Sequence, residues 1–116
     1  MNVSAFSDVV KARVMARSGG CCEICHCDCS ELGAFPHRRP RGSGGSRDPR
    51  SGGAANCLLL CPADHDRIER LERAEARDRG WIVRQGQDPA EVPVWRNRRW
   101  VLLDDEGGIT PAGVVA

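Results

Sequence analysis

Residues 36–69 read PHRRPRGSGGSRDPRSGGAANCLLLCPADHDRIE, and the rest of the chain can be placed around this stretch. His37 ends one apolar run, Asn56 opens another, and His65 lies just inside a charged, helix-like segment, so the stretch carries the series His, Asn, His. Between the first two lies an Arg- and Gly-rich segment, Arg38 to Arg47, too charged and too rich in glycine to be core. Arg38, Arg39, Arg41 and Arg47 make it a phosphate-facing loop in prospect. From Arg38 to Gly53 five glycines and two prolines exclude regular structure, and so long a loop inside a small domain is ordinarily functional or disordered.

Two pairs of candidate ligands flank the series. Cys22-Glu23-Ile24-Cys25 lies upstream and Cys61-Pro62-Ala63-Asp64 downstream, each pair separated by two residues, as metal sites favour. Seven cysteines are an odd number, and Cys21, Cys22, Cys25, Cys27 and Cys29 crowd together, which suits coordination better than a disulfide framework. The predicted set is Cys22, Cys25, Cys61 and Asp64 around a structural zinc, with Cys57, Cys27 or Cys21 as substitutes. At 116 residues the chain is one domain, residues 1–116, with few aromatic side chains, and a metal staple would help so small a core hold one structure.

The local pattern is α+β. Ser4 predicts a helix cap, with Phe6, Val9, Val10, Val14 and Met15 near helical spacing up to about Ser18 and Gly19-Gly20 as the stop. Residues 21–30 have the composition of a metal knuckle. Leu32 to His37 reads as a strand, edge-like because of Pro36, and Asn56 to Cys61 as a buried strand. Pro62 suits the first turn of a helix that Gly80 would stop, with Asp66/Arg70, Glu69/Arg73 and Glu75/Arg79 as i,i+4 pairs on its surface. The core then spans about 18–79, and the tail, about 80–116, reads as short strands through Trp81-Ile82-Val83 and Trp100 to Leu103.

Charge distribution says more than net charge, which is only +1. Five arginines stand against one acid, Asp48, between Pro36 and Ser51. The N-terminus has neither a basic nor an apolar signal-like region, and no apolar run approaches the ~20 residues needed to span a bilayer. The expectation is a cytosolic, reducing setting with no membrane partner.

Taken singly, each of these histidines would be an ordinary surface or packing residue; their order, with Asn56 between them, is what points to a site. The ordered set Cys22-x-x-Cys25, Pro36-His37-Arg38-Arg39, Gly44-Gly45, Asn56-x-Leu58-x-Leu60-Cys61 and His65 resembles the HNH endonuclease family, of the ββα-metal fold, and most closely its small stand-alone phage members. The resemblance covers about residues 18–70. It implies an endonuclease that hydrolyses phosphodiester bonds in DNA with a divalent ion such as Mg, Mn or Ni. In that reading His37 is the general base, His65 a ligand of the ion, and Asn56 either a brace for the loop or a further ligand. Glu69, one turn after His65 on the same helix face, is the natural second ligand. The resemblance further implies a bacterial host cytoplasm and a phage terminase as partner. Two positions depart from the pattern: Pro36 stands where the family commonly has a ligating Asp or His, and Asp64 where it commonly has Cys. A zinc-stabilised DNA-binding or packaging accessory protein on the same fold is the alternative.

Overall fold

The computed structural model describes residues 6–40, 49–70 and 73–112. Among these residues, three α-helices and a three-stranded antiparallel sheet make up an α+β fold, in the order α1 (Asp8–Ser18), α2 (Pro62–Arg70), α3 (Arg73–Asp78), β1 (Val94–Arg96), β2 (Arg99–Leu103) and β3 (Ile109–Pro111). One buried cluster joins them, with Val14 of α1, Leu58 to Leu60, Ile68 of α2, Ala76 of α3 and Val94, Val101 and Leu103 of the sheet.

Helix α1 starts later than the sequence predicts. Ser7 is the cap: its hydroxyl accepts from Val10 N–H at 3.2 Å, and Ser4 lies outside the described residues. Gly19, at φ 67°, ends the helix and returns its N–H to Met15 O.

Neither of the strands expected at Leu32 to His37 and Asn56 to Cys61 is regular. Residues 34–38 and 56–60 form an irregular antiparallel ribbon, closed by single bridges at Ala34/Leu60 and His37/Cys57. Ala34 and Leu60 exchange both backbone bonds, Pro36 O accepts from Leu58 N–H, and Arg38 N–H donates to Asn56 O at 2.8 Å. Pro36 has no N–H to give, which interrupts the ladder at its middle. Residues Ala54–Asn56 form a tight turn that delivers Asn56 to the ribbon.

The predicted helix from Pro62 to Gly80 is described as α2 and α3, on either side of residues 71–72. Two of its surface pairs form, Arg70 with Asp66 at 2.9 Å and Arg79 with Glu75 at 3.7 Å. Trp81 to Val83 is not a strand. The N–H groups of Trp81 and Ile82 both donate to Ala76 O, so this run caps α3 instead. Gly80 makes the cap possible: its φ is 76°, and a Cβ there would fall on the backbone of Pro93. The sheet lies after this cap. Asn97 and Arg98, at φ 49° and 64°, form the two-residue turn that pairs Trp95 with Trp100, the left-handed geometry tight hairpins require.

A buried ion cluster ties these parts together. Glu23, 1% exposed, receives Arg17 through two bonds of 2.8 and 2.7 Å, Arg96 at 2.7 Å and the Leu59 N–H at 2.9 Å. Arg17 continues to the carbonyls of Ala54 and Cys57. Thus α1, the knuckle, the ribbon and β1 meet on one carboxylate, whose charge is compensated on all sides.

Candidate metal centre and its neighbourhood

The two ligand pairs of the sequence converge. Cys22 is buried in the knuckle, Cys61 ends the ribbon, and Pro62 starts α2 so that Asp64 sits in its first turn. Asp64 Oδ2 lies 3.2 Å from Cys22 Sγ and 3.6 Å from Cys61 Sγ, and Cys25 Sγ lies 3.8 Å from Cys61 Sγ. One ligand atom from each of the four residues falls within 4.8 Å of the others. A tetrahedral zinc with Zn–S near 2.3 Å sets ligand–ligand edges of about 3.8 Å, so the donor set fits such an ion. Arg67 Nη1 stands 3.7 Å from Asp64 Oδ1, holding the carboxylate from its outer side while Oδ2 faces the thiols.

Burial pushes the Cys22 and Cys25 thiols above their ordinary range, so these two thiols are protonated when no metal is bound. The substitutes Cys57, Cys27 and Cys21 are not part of this cluster, and Cys57, deep in the ribbon, has its thiol pushed up by burial to about 12.

Asn56 is fully buried beside the ribbon. Its Oδ1 accepts from Arg39 N–H at 2.6 Å, and its Nδ2 donates to Arg39 O at 3.2 Å and to Ser51 O at 2.9 Å. These bonds engage both ends of the carboxamide and brace the backbone of Arg39 against that of Ser51. His37, two residues before Arg39, is half-buried and stacks on the ring of Phe6, centroids 4.0 Å apart at 23°. On α2, His65 Nε2 lies 3.5 Å from Glu69 Oε1, both side chains partly exposed. Glu69 therefore turns to His65 in place of the predicted Arg73. The remaining nearby carboxylate, Asp66, is held by Arg70.

The phosphate-facing arginines are the clearest correction. Arg38 is 1% exposed and donates to the carbonyls of Ala55, Gly80, Pro89 and Val92 at 2.8 to 2.9 Å. It is a strut across the core. Burial, with the charge of Arg17 second, pulls its guanidinium down to about 9. Arg39 is 2% exposed and reaches Gln87 O and Ser51 Oγ. Neither can meet phosphate without leaving the core, because bonds to backbone and hydroxyl oxygens hold both guanidinium groups inward. Arg41 and Arg47 lie outside the described residues.

Sequence reasoning missed Glu23, although it stands inside the Cys22-x-x-Cys25 knuckle. A carboxylate between two zinc-ligand candidates reads as exposed; its partners, Arg17 and Arg96, are identified only by the fold. No protein-family model, curated protein or solved structure matches the chain. Among the described residues, no helix is long and apolar enough to cross a membrane.

Proposed function

We propose that the chain is a metal-dependent DNA endonuclease of the HNH kind, built on a ββα-metal core with a zinc knuckle, acting in the cytoplasm of a bacterial host. The observation that carries this reading is the placement of Asn56: its side chain fixes the backbone just past His37, on a ribbon that leads directly through Cys61 and Asp64 into the helix bearing His65 and Glu69.

In this reading His37 takes the proton from the attacking water, as a neutral imidazole can near pH 7. The ribbon bridge at Cys57 and the ring of Phe6 hold its backbone and ring. His65 and Glu69 would hold a divalent cation such as Mg, Mn or Ni, which when bound would supply charge neutralisation at the phosphate and leaving oxygen. Their imidazole nitrogen and carboxylate would suit such an ion, and with no ligand atom at Pro36 the protein's own donor set would be small. Cys22, Cys25, Cys61 and Asp64 hold zinc as a structural fastener of knuckle to helix.

A second reading, a zinc-stabilised DNA-binding or packaging accessory protein, draws on Pro36 and on the Phe6 ring that covers one face of His37. In either reading a phage terminase is the partner implied by the sequence resemblance. Incubating zinc-loaded protein with supercoiled plasmid, with Mg²⁺, Mn²⁺ or Ni²⁺ and with EDTA, separates the two. The endonuclease gives metal-dependent nicked or linear product; the accessory protein gives none.

A further inference from the structure

A cleft of about 290 Å³ opens between α3 and the segment after it, with Arg73, Arg77 and Arg84 on its rim and Pro40, Val83 and Gln85 among its other lining residues. Among the described residues, no carboxylate lines it. The three arginines are exposed, and among the described residues none of their guanidinium groups meets an acid or an acceptor. Their neighbours behave differently: Arg67, Arg70 and Arg79 each stand within 4.0 Å of an aspartate or glutamate. Arg73 and Arg77 are also spaced i,i+4, a like-charge arrangement that weakens a short helix. Three guanidinium groups that line one cleft without a partner among the described residues, two of them at a cost to the helix, point to a polyanionic ligand.

The cleft is tied to the candidate site through the backbone. Val83 N–H donates to Arg38 O at 2.8 Å, and Gln85 Nε2 donates to Pro40 O, so one wall is fastened to the residues that directly follow His37. The cleft is open, and among the described residues no buried polar group closes it around a small anion. An extended phosphate backbone engages such a rim at several points, through paired N–H donors that suit phosphate. We infer that this cleft binds the sugar–phosphate backbone of duplex DNA, taking the place that Arg38 and Arg39 cannot fill; that DNA is the ligand rests on the endonuclease reading above.

The test measures binding of a fluorescein-labelled duplex by anisotropy between about 50 and 200 mM salt, with zinc-loaded full-length protein carrying His37→Ala so that the duplex stays intact. Added to this background are Arg73→Gln with Arg77→Gln, Arg84→Gln alone, and, as a charge-matched control on the β1–β2 turn, Arg98→Gln with Arg99→Gln. The slope of log affinity against log salt should shrink by roughly 0.9 for each phosphate no longer neutralised, hence by about 2 for the α3 pair and about 1 for Arg84→Gln, and stay unchanged in the control. Unchanged slopes in the cleft variants overturn the inference, as does an equal loss in the control, or displacement of DNA by polyglutamate at matched charge. Matching thermal midpoints establish that the variants are folded. Lowered slopes in a protein whose His37 form never nicks plasmid would remove the endonuclease reading and leave the cleft standing; nicking with unchanged slopes would do the reverse.

Discussion

Asn56 grips the peptide of Arg39 from both sides, Oδ1 accepting its N–H at 2.6 Å and Nδ2 donating to its carbonyl at 3.2 Å, in a pocket with no solvent exposure. Removing one side of such a pair strands buried groups at about 1–3 kcal/mol each. Asn56→Ala should therefore lower unfolding free energy on the order of 3 kcal/mol and loosen the chain beside His37. Asn56→Asp keeps the acceptor yet faces Ser51 O and Arg39 O with a carboxylate, and should be no more stable. Urea unfolding with zinc present checks both, and wild-type stability in either variant would disprove the brace.

Glu23 predicts the largest single loss of stability. Its carboxylate is enclosed by Arg17, Arg96 and the Leu59 N–H, so Glu23→Ala leaves two cations partly or wholly buried without their counter-charge. Breaking a buried pair in this way costs about 3–5 kcal/mol. The expected readout is a midpoint lowered by more than ten degrees, given ~4–8 °C per kcal/mol in a domain of this size. A surface-like effect under about 1 kcal/mol would contradict the buried cluster.

The metal centre predicts its own pH dependence. Burial holds the Cys22 and Cys25 thiols above their ordinary range, so they are protonated in the metal-free protein near neutral pH, and binding an ion must release those protons. Apparent zinc affinity should then rise with pH from about 6 to 8 and fall as acid is added. Competition with a chromophoric chelator measures it, and an affinity that does not move with pH would rule out the thiol ligands. Chelation at neutral pH should also cost most of the folded structure, read by circular dichroism.

What was legible in the sequence is what is local. Cys22-x-x-Cys25 and Cys61-x-x-Asp64 each place two donors on one turn of chain, and the apolar run Leu58 to Leu60 announces a buried segment. Both survive in the fold because their geometry depends on near neighbours. Burial of charge does not follow from near neighbours. Arg38 sits in an arginine run that reads as solvated, and its acceptors are carbonyls 17 to 54 residues away in sequence. The same holds for Glu23 with Arg96, 73 residues apart. Trp81 to Val83 has strand-like composition, yet Gly80 turns it into the cap of α3. At the start, the cap is Ser7, whose hydroxyl accepts a helix N–H, and not the expected Ser4, which lies outside the described residues.

In the proposed endonuclease, Pro36 and Glu69 would set the metal requirement. Glu69 Oε1 lies 3.5 Å from His65 Nε2 on one face of α2, whereas Pro36 supplies no ligand. Pro36→Asp should lower the Mg²⁺ or Mn²⁺ concentration that half-saturates nicking, since an added carboxylate strengthens a hard-cation site. Glu69→Ala should raise it. Titration curves that coincide with wild type in both variants would mean that the ion lies elsewhere.

The role given to His37 is tested most directly by the rate of supercoiled-plasmid nicking by His37→Ala against wild type, at saturating Mn²⁺ and equal DNA occupancy. Loss of a general base removes about 10²–10⁴-fold in rate while the ribbon, the metal cluster and DNA affinity remain. A loss of that size is the expected result. A His37→Ala protein that nicks as fast as wild type would contradict the endonuclease mechanism.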